Sequence, residues 1–169
     1  MLLTPHTAVG IAIGAAIPNP IISVPLSFLS HFALDLVPHW DNLGLGEIAR
    51  SSRPLKTRAF KLMLLDGLTA LSLLLFFLYW AMPDYGVGMT IATSALAANL
   101  PDLFYLPLLF GKRKPGWALW VARLQKRVQA NSAAPMAFGL SIQLFATAVG
   151  SLIARQEILI RLPQIWQIL

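Results

Sequence analysis

The chain has 169 residues, 57% of them apolar and only 12% charged, whereas soluble domains run at about 45–50% apolar and about 25% charged. So much apolar surface cannot be hidden in one small domain, which predicts hydrocarbon surroundings and excludes intrinsic disorder. Thirteen Lys and Arg against seven Asp and Glu give a net charge of +6 without a single cysteine, so disulfides and thiolate chemistry are excluded, and any metal must be held by nitrogen and oxygen.

On a soluble protein that basic excess would raise the question of nucleic acid. On a membrane protein it reflects cytoplasmic loops and anionic headgroups, and no nucleic-acid partner is expected. The N-terminal stretch lacks the basic region and small-residue cleavage site of a secretory signal, so it is read as part of the mature protein.

The first helix is predicted over about Pro5–Ile17, stopping at Pro18-Asn19-Pro20 because the residue before a proline is pushed out of the helical region. A second, over about Ile21–Leu36, tolerates Pro25 near its start and ends at Pro38, closing a hairpin over residues 1–41. A basic loop, 42–61, follows. Asp41 and Asn42 are candidate caps there, and Ser52-Arg53-Pro54 reads as the cap and first turn of the next helix.

Residues 62–110 form a second hairpin, with spans over about Leu62–Met82 and Val87–Phe110, the latter kinked at Asn99-Leu100-Pro101-Asp102. From 111 to 133 basic residues interleave with Trp117, Leu119, Trp120, Val121 and Leu124, which predicts a helix lying in the headgroup plane. A fifth span, 134–154, precedes an interfacial tail, 155–169, anchored by Trp166. The expected fold is all-α: a single polytopic membrane domain with a four-helix core of two hairpins, a fifth span and amphipathic interfacial helices. Because the basic residues crowd the loops after the second and fourth helices, those loops are assigned to the cytoplasmic side of the inner membrane.

Ionisable groups inside spans cost about 2.5–3.5 kcal/mol each on insertion scales and face a partner or a watery cavity. In an up-down-up-down arrangement the starts of the first and third helices and the ends of the second and fourth share one face. His6, His31, Asp35, His39, Asp41, Asp66, Asn99 and Asp102 therefore fall in one layer near the cytoplasmic surface. His31 and Asp35 stack one turn apart, and Ser27 extends their face. Imidazoles and carboxylates without sulfur suit a divalent metal, Zn before Mn or Fe. Bland readings stand beside this one: a cap at His6, an interfacial His39-Trp40 anchor, and an ion pair between Asp66 and a nearby Lys or Arg. A faint internal echo pairs Leu29–Leu36 with Leu96–Leu103, as if two hairpins met at the site.

Thr4-Pro5-His6-Thr7, Ser30-His31-Phe32-Ala33-Leu34-Asp35, Pro38-His39-Trp40-Asp41 and Leu100-Pro101-Asp102 resemble the motifs of a family of small integral membrane proteins described as membrane-bound metal-dependent hydrolases. The resemblance implies metal-site positions at His6, His31, Asp35 and Asp102. The family's His-Arg-Gly-x-Thr-His element is missing here, and the Leu-Pro-Asp element comes late rather than early.

Three functions are compatible with these residues. In the first, a metal-dependent hydrolase attacks a lipid-linked phosphoester or ester at the cytoplasmic leaflet, with Asp66 or His39 as general base or orienter. Arg53, Lys56, Arg58, Lys112 and Arg113 would then hold an anionic headgroup. In the second, a metal or polar layer locks the helices together without catalysis. The third is a transporter or proton path, against which the polar groups lie at one end rather than at the midplane.

Overall fold

A computed structural model describes residues 1–40, 45–111, 113–129 and 133–166, with side chains as far as Arg161. The described chain is helical, apart from an isolated bridge between His39 and Ala133. Helix α1 covers Leu3–Ala16 and α2 covers Pro20–Leu36. Between them Asn19 caps α2 by accepting from the Ile21 N–H at 3.0 Å, with Pro20 in the first helical position where no donor is needed.

The loop that follows carries a short helix, α3 (Leu45–Arg50), and a single 3-10 turn, Pro54–Lys56. The expected caps Asp41 and Asn42 lie outside the described residues. Ser52 is not the cap of the next helix. Thr57 is, its hydroxyl accepting from the Phe60 N–H at 3.1 Å and opening α4, Arg58–Ala81. Asp84 caps α5, Tyr85–Leu103, in the same way. The break expected around Pro101 comes after it, at Phe104 and Tyr105, because Pro101 is still accommodated in the last turn. Helix α6 (Leu106–Phe110) and the amphipathic α7 (Gly116–Val128) follow. The fifth span and the tail are one continuous helix, α8 (Met136–Trp166), where a separate interfacial segment was expected.

Helix α1 is the axis of the bundle and touches α2, α4, α5 and α8. It can do so because it is small on opposite sides. A Cβ on Gly10 would sit 2.8 Å from the Ala95 Cα, and one on Gly14 would sit 2.6 Å from the Thr90 carbonyl oxygen, both on α5. On the other side Gly150 of α8 meets the Ala8 backbone, where a Cβ would come within 2.9 Å. Such close approach maximises dispersion contact between the helices. The Thr90 hydroxyl strengthens it by donating to the Gly14 carbonyl at 3.0 Å.

The bundle has two chemically different ends. At the end bearing the interhelical turns, Ile11, Ala15, Phe77, Val87, Ile91, Ala154 and Ile158 form an apolar core. At the other end gather the starts of α1, α4 and α8 with the ends of α2 and α5, and here His6, His31, Asp35, His39, Gln125 and Gln143 are buried.

Helix α2 is inside out by the standards of a soluble protein. Its buried residues are Ser23, Ser27, His31 and Asp35, while Ile21 is 82% and Leu29 62% exposed. The outer faces of α4 and α8 also expose leucine and phenylalanine, Leu65, Phe76, Leu144 and Phe145 among them. Of the five expected spans, Arg58–Ala81 and Met136–Arg161 are long and apolar enough to cross a membrane, whereas α1 and α2 are shorter and α5, the expected fourth span, does not qualify.

If this packing holds the bundle together, Gly14→Val forces backbone apart and should destabilise the protein by at least about 1–3 kcal/mol. Gly116, with no atom within 4 Å of a built Cβ, is the control. Thermal unfolding in detergent should show a lowered midpoint for Gly14→Val and none for Gly116→Ala; equal midpoints would refute the close crossing.

Candidate metal centre

The buried face of α2 delivers His31 and Asp35, one turn apart, to the polar end of the bundle. Helix α1 brings His6 from its first turns and α5 brings Asp102 from its last. The His6 and His31 rings stack with centroids 4.1 Å apart. Asp35 sits against both: Oδ1 is 3.4 Å from His6 Nε2, and Oδ2 is 3.3 Å from His31 Nε2. Asp102 Oδ1 lies 3.8 Å from the same His31 nitrogen.

One hydrogen bond decides what this cluster can hold. His31 Nδ1 lies 2.8 Å from the Ala98 carbonyl oxygen, which can only accept, so Nδ1 carries the hydrogen. In the neutral ring Nε2 then presents a lone pair to the oxygens of two carboxylates. That arrangement is repulsive unless a cation or a second proton lies among them. A backbone carbonyl fixing the far nitrogen is also how metal-bound imidazoles are oriented.

His6 points the same way. It is fully buried, and neither ring nitrogen makes a hydrogen bond, a state that ordinarily costs about 1–3 kcal/mol. Donor atoms of His6, His31 and Asp102 lie within 4.8 Å of one another, and this group could hold a metal ion. All-nitrogen-and-oxygen donors of this kind fit a divalent ion such as zinc.

The expected ligand Asp35 belongs to the cluster, but both its oxygens are already engaged. Oδ1 also accepts from the Met1 amino group at 2.7 Å, and Oδ2 from Gln129 Nε2 at 2.6 Å. It faces the Nε2 atoms of both histidines. The three converging donors are His6, His31 and Asp102.

Of the two residues expected to do chemistry, Asp66 lines the cleft beside Asp102 and His39 does not. Asp66 clamps the first turn of α1: Oδ2 accepts from the Leu3 N–H at 2.7 Å, and Oδ1 from the Thr4 hydroxyl at 2.6 Å. His39 is buried beside α8, with Nδ1 donating to the Val37 carbonyl at 2.8 Å, and its own carbonyl accepts from the Ala134 N–H. Asn99 ties α5 to α1 by donating to the Thr7 hydroxyl at 2.8 Å, next to His6.

Arg53, Lys56, Arg58 and Arg113 are exposed and line no part of the cleft beside Asp102; Lys112 and Asp41 lie outside the described residues. Helix α7 supplies what the sequence reading missed. Gln125 is buried, and its amide nitrogen donates to Asp102 Oδ1 at 3.0 Å and lies 3.3 Å from His31 Nε2. With Gln129, one turn on, it lays α7 across the polar end of the bundle. Gln143 of α8 joins Leu2 to Trp40, accepting from one and donating to the other.

A cleft of about 420 Å³ opens beside the cluster. Leu3, Met63, Leu68, Leu103 and Leu106 give it an apolar wall, and Asp66, Asp102, Gln125 and Gln129 its polar lining. Asp102, 27% exposed, is the one member of the donor group that reaches outward. Compared with known proteins, the chain matches no family model, no curated protein and no solved structure.

Outer partners of metal ligands are worth about 10- to 100-fold in affinity. Zinc titration in detergent should therefore give Gln125→Leu a Kd raised by about that factor, with His31→Ala losing binding altogether and His39→Phe retaining it. Unchanged binding in His31→Ala, with folding verified by circular dichroism, would refute the site.

Proposed function

We propose that the protein is a polytopic membrane hydrolase that uses a divalent metal to cleave a lipid-linked phosphoester or ester at the cytoplasmic leaflet. The observation that carries this reading is the junction of the donor group with an apolar cleft at Asp102. A structural metal needs no such opening, whereas an amphiphilic substrate needs both parts. The inverted α2, with polar residues inside and isoleucine and leucine outside, supports hydrocarbon surroundings.

A divalent ion held by His6, His31 and Asp102 would polarise an acyl or phosphoryl oxygen and lower the pKa of a water towards neutrality. The chain's own residues supply the rest. Leucines of α4, α5 and α6 receive the apolar tail, so the polar head arrives at Asp102. Gln125 holds the Asp102 carboxylate in place, and Asp35 keeps the two imidazoles facing inward. Asp66 and His39 act as positioning residues, the first by fixing the turn that carries His6 and the second by fastening the chain after α2 to α8.

A second reading, a metal that locks helices without catalysis, is favoured by the complete burial of His6 and His31. Turnover separates the two. Release of phosphate or fatty acid from a lipid panel in proteoliposomes should be supported by the wild-type protein and abolished by His31→Ala. Leu68→Trp, which fills the cleft, should raise KM. Asp66→Asn should lower stability yet leave folded protein active, whereas loss of kcat at full stability would make Asp66 the base. Metal retention with no turnover on any lipid would favour the locking role.

A further inference from the structure

On the outer side of α7, away from Gln125 and Gln129, a second groove of about 540 Å³ lies between α3, α6 and α7. Its cations are Lys114, Arg123 and Lys126, and among the described residues no acidic one is in its lining. Arg123 and Lys126 are three apart on α7 and therefore share a face. Tyr105 adds a phenol. Leu108, Leu109 and Leu119 supply an apolar part. Leu45 and Leu109 also line the cleft beside Asp102, so the two spaces share a wall.

We propose that this groove binds the phosphate of an anionic membrane lipid, with Lys114, Arg123 and Lys126 on the phosphate and the leucines against its acyl chains. These three cations are of the kind that hold a phosphate by charge-assisted hydrogen bonds. The leucines distinguish a lipid from a free anion, which would gain nothing from them. Trp117 and Trp120, both largely exposed on the same helix, are suited to the headgroup level where aromatic rings collect. The site is separate from the metal donors and does not require turnover. It also differs from the headgroup residues expected from sequence: Arg53, Lys56, Arg58 and Arg113 do not line the groove, and Lys112 lies outside the described residues.

The test is native mass spectrometry of the full chain in detergent with phosphatidylglycerol or phosphatidylcholine added. Each basic residue near an anionic lipid surface is worth roughly fivefold, so Lys114→Ala/Arg123→Ala/Lys126→Ala combined should weaken phosphatidylglycerol retention by at least about tenfold. Arg53→Ala/Lys56→Ala/Arg58→Ala, with the same loss of charge, should leave it unchanged. Phosphatidylcholine should be held less well than phosphatidylglycerol, and excess inorganic phosphate should not displace the bound lipid. Equal losses in the two triple variants, equal retention of the two lipids, or displacement by inorganic phosphate would each overturn the proposal. Metal content and turnover are not read here, so failure of this site leaves the metal centre to its own tests.

Discussion

The hydrogen bond from His31 Nδ1 to the Ala98 carbonyl sets the chemistry of the polar end of this bundle. It turns the opposite ring nitrogen towards Asp35 and Asp102 and leaves two carboxylates and an imidazole lone pair facing one another. Positive charge is the natural solution to that arrangement in a buried place. The Met1 amino group and the glutamine amides of α7 answer part of it. His6, buried beside His31, has only the 3.4 Å approach of Asp35 at Nε2 and no hydrogen bond at Nδ1.

That hydrogen bond depends on how closely the helices approach. His31 is on α2 and Ala98 on α5, and α1 must run between α5 and α8 without forcing them apart. Gly10, Gly14 and Gly150 allow it to do so, and Asn99 and Asp66 fix its starting turn. Packing in the apolar half therefore governs geometry in the polar half. A volume change near Gly14 should be felt at His6, although the two lie on different turns of α1.

Much of this was legible in the sequence because proline and charge punctuate it so clearly. Pro18, Pro20 and Pro38 bound the first two helices, and the i, i+4 spacing of His31 and Asp35 placed both on one buried face. The up-down order then predicted that His6, Asp35, Asp66 and Asp102 would share an end, as they do. Their roles were not readable, since a carboxylate that caps a neighbouring helix and one that faces a cluster look alike in sequence. Asp66 is the clearest case. The charges of α7 dominated its reading as a headgroup helix and hid Gln125 and Gln129, whose uncharged amides reach the cluster. Gln143, a lone amide in an apolar span, was the one such signal open to view. Helix α8 ran past its expected end because Arg155 and Glu157 interrupt hydrophobicity without interrupting helix propensity.

The central claim, that two imidazoles and a carboxylate converge on one divalent ion, is tested most directly by X-ray absorption at the metal edge of protein purified from membranes. The account predicts nitrogen and oxygen scatterers at about 2.0–2.2 Å, with the outer-shell features of two imidazoles, one set of which disappears in His6→Ala. A spectrum without imidazole features, or one unaltered by that substitution, would contradict it.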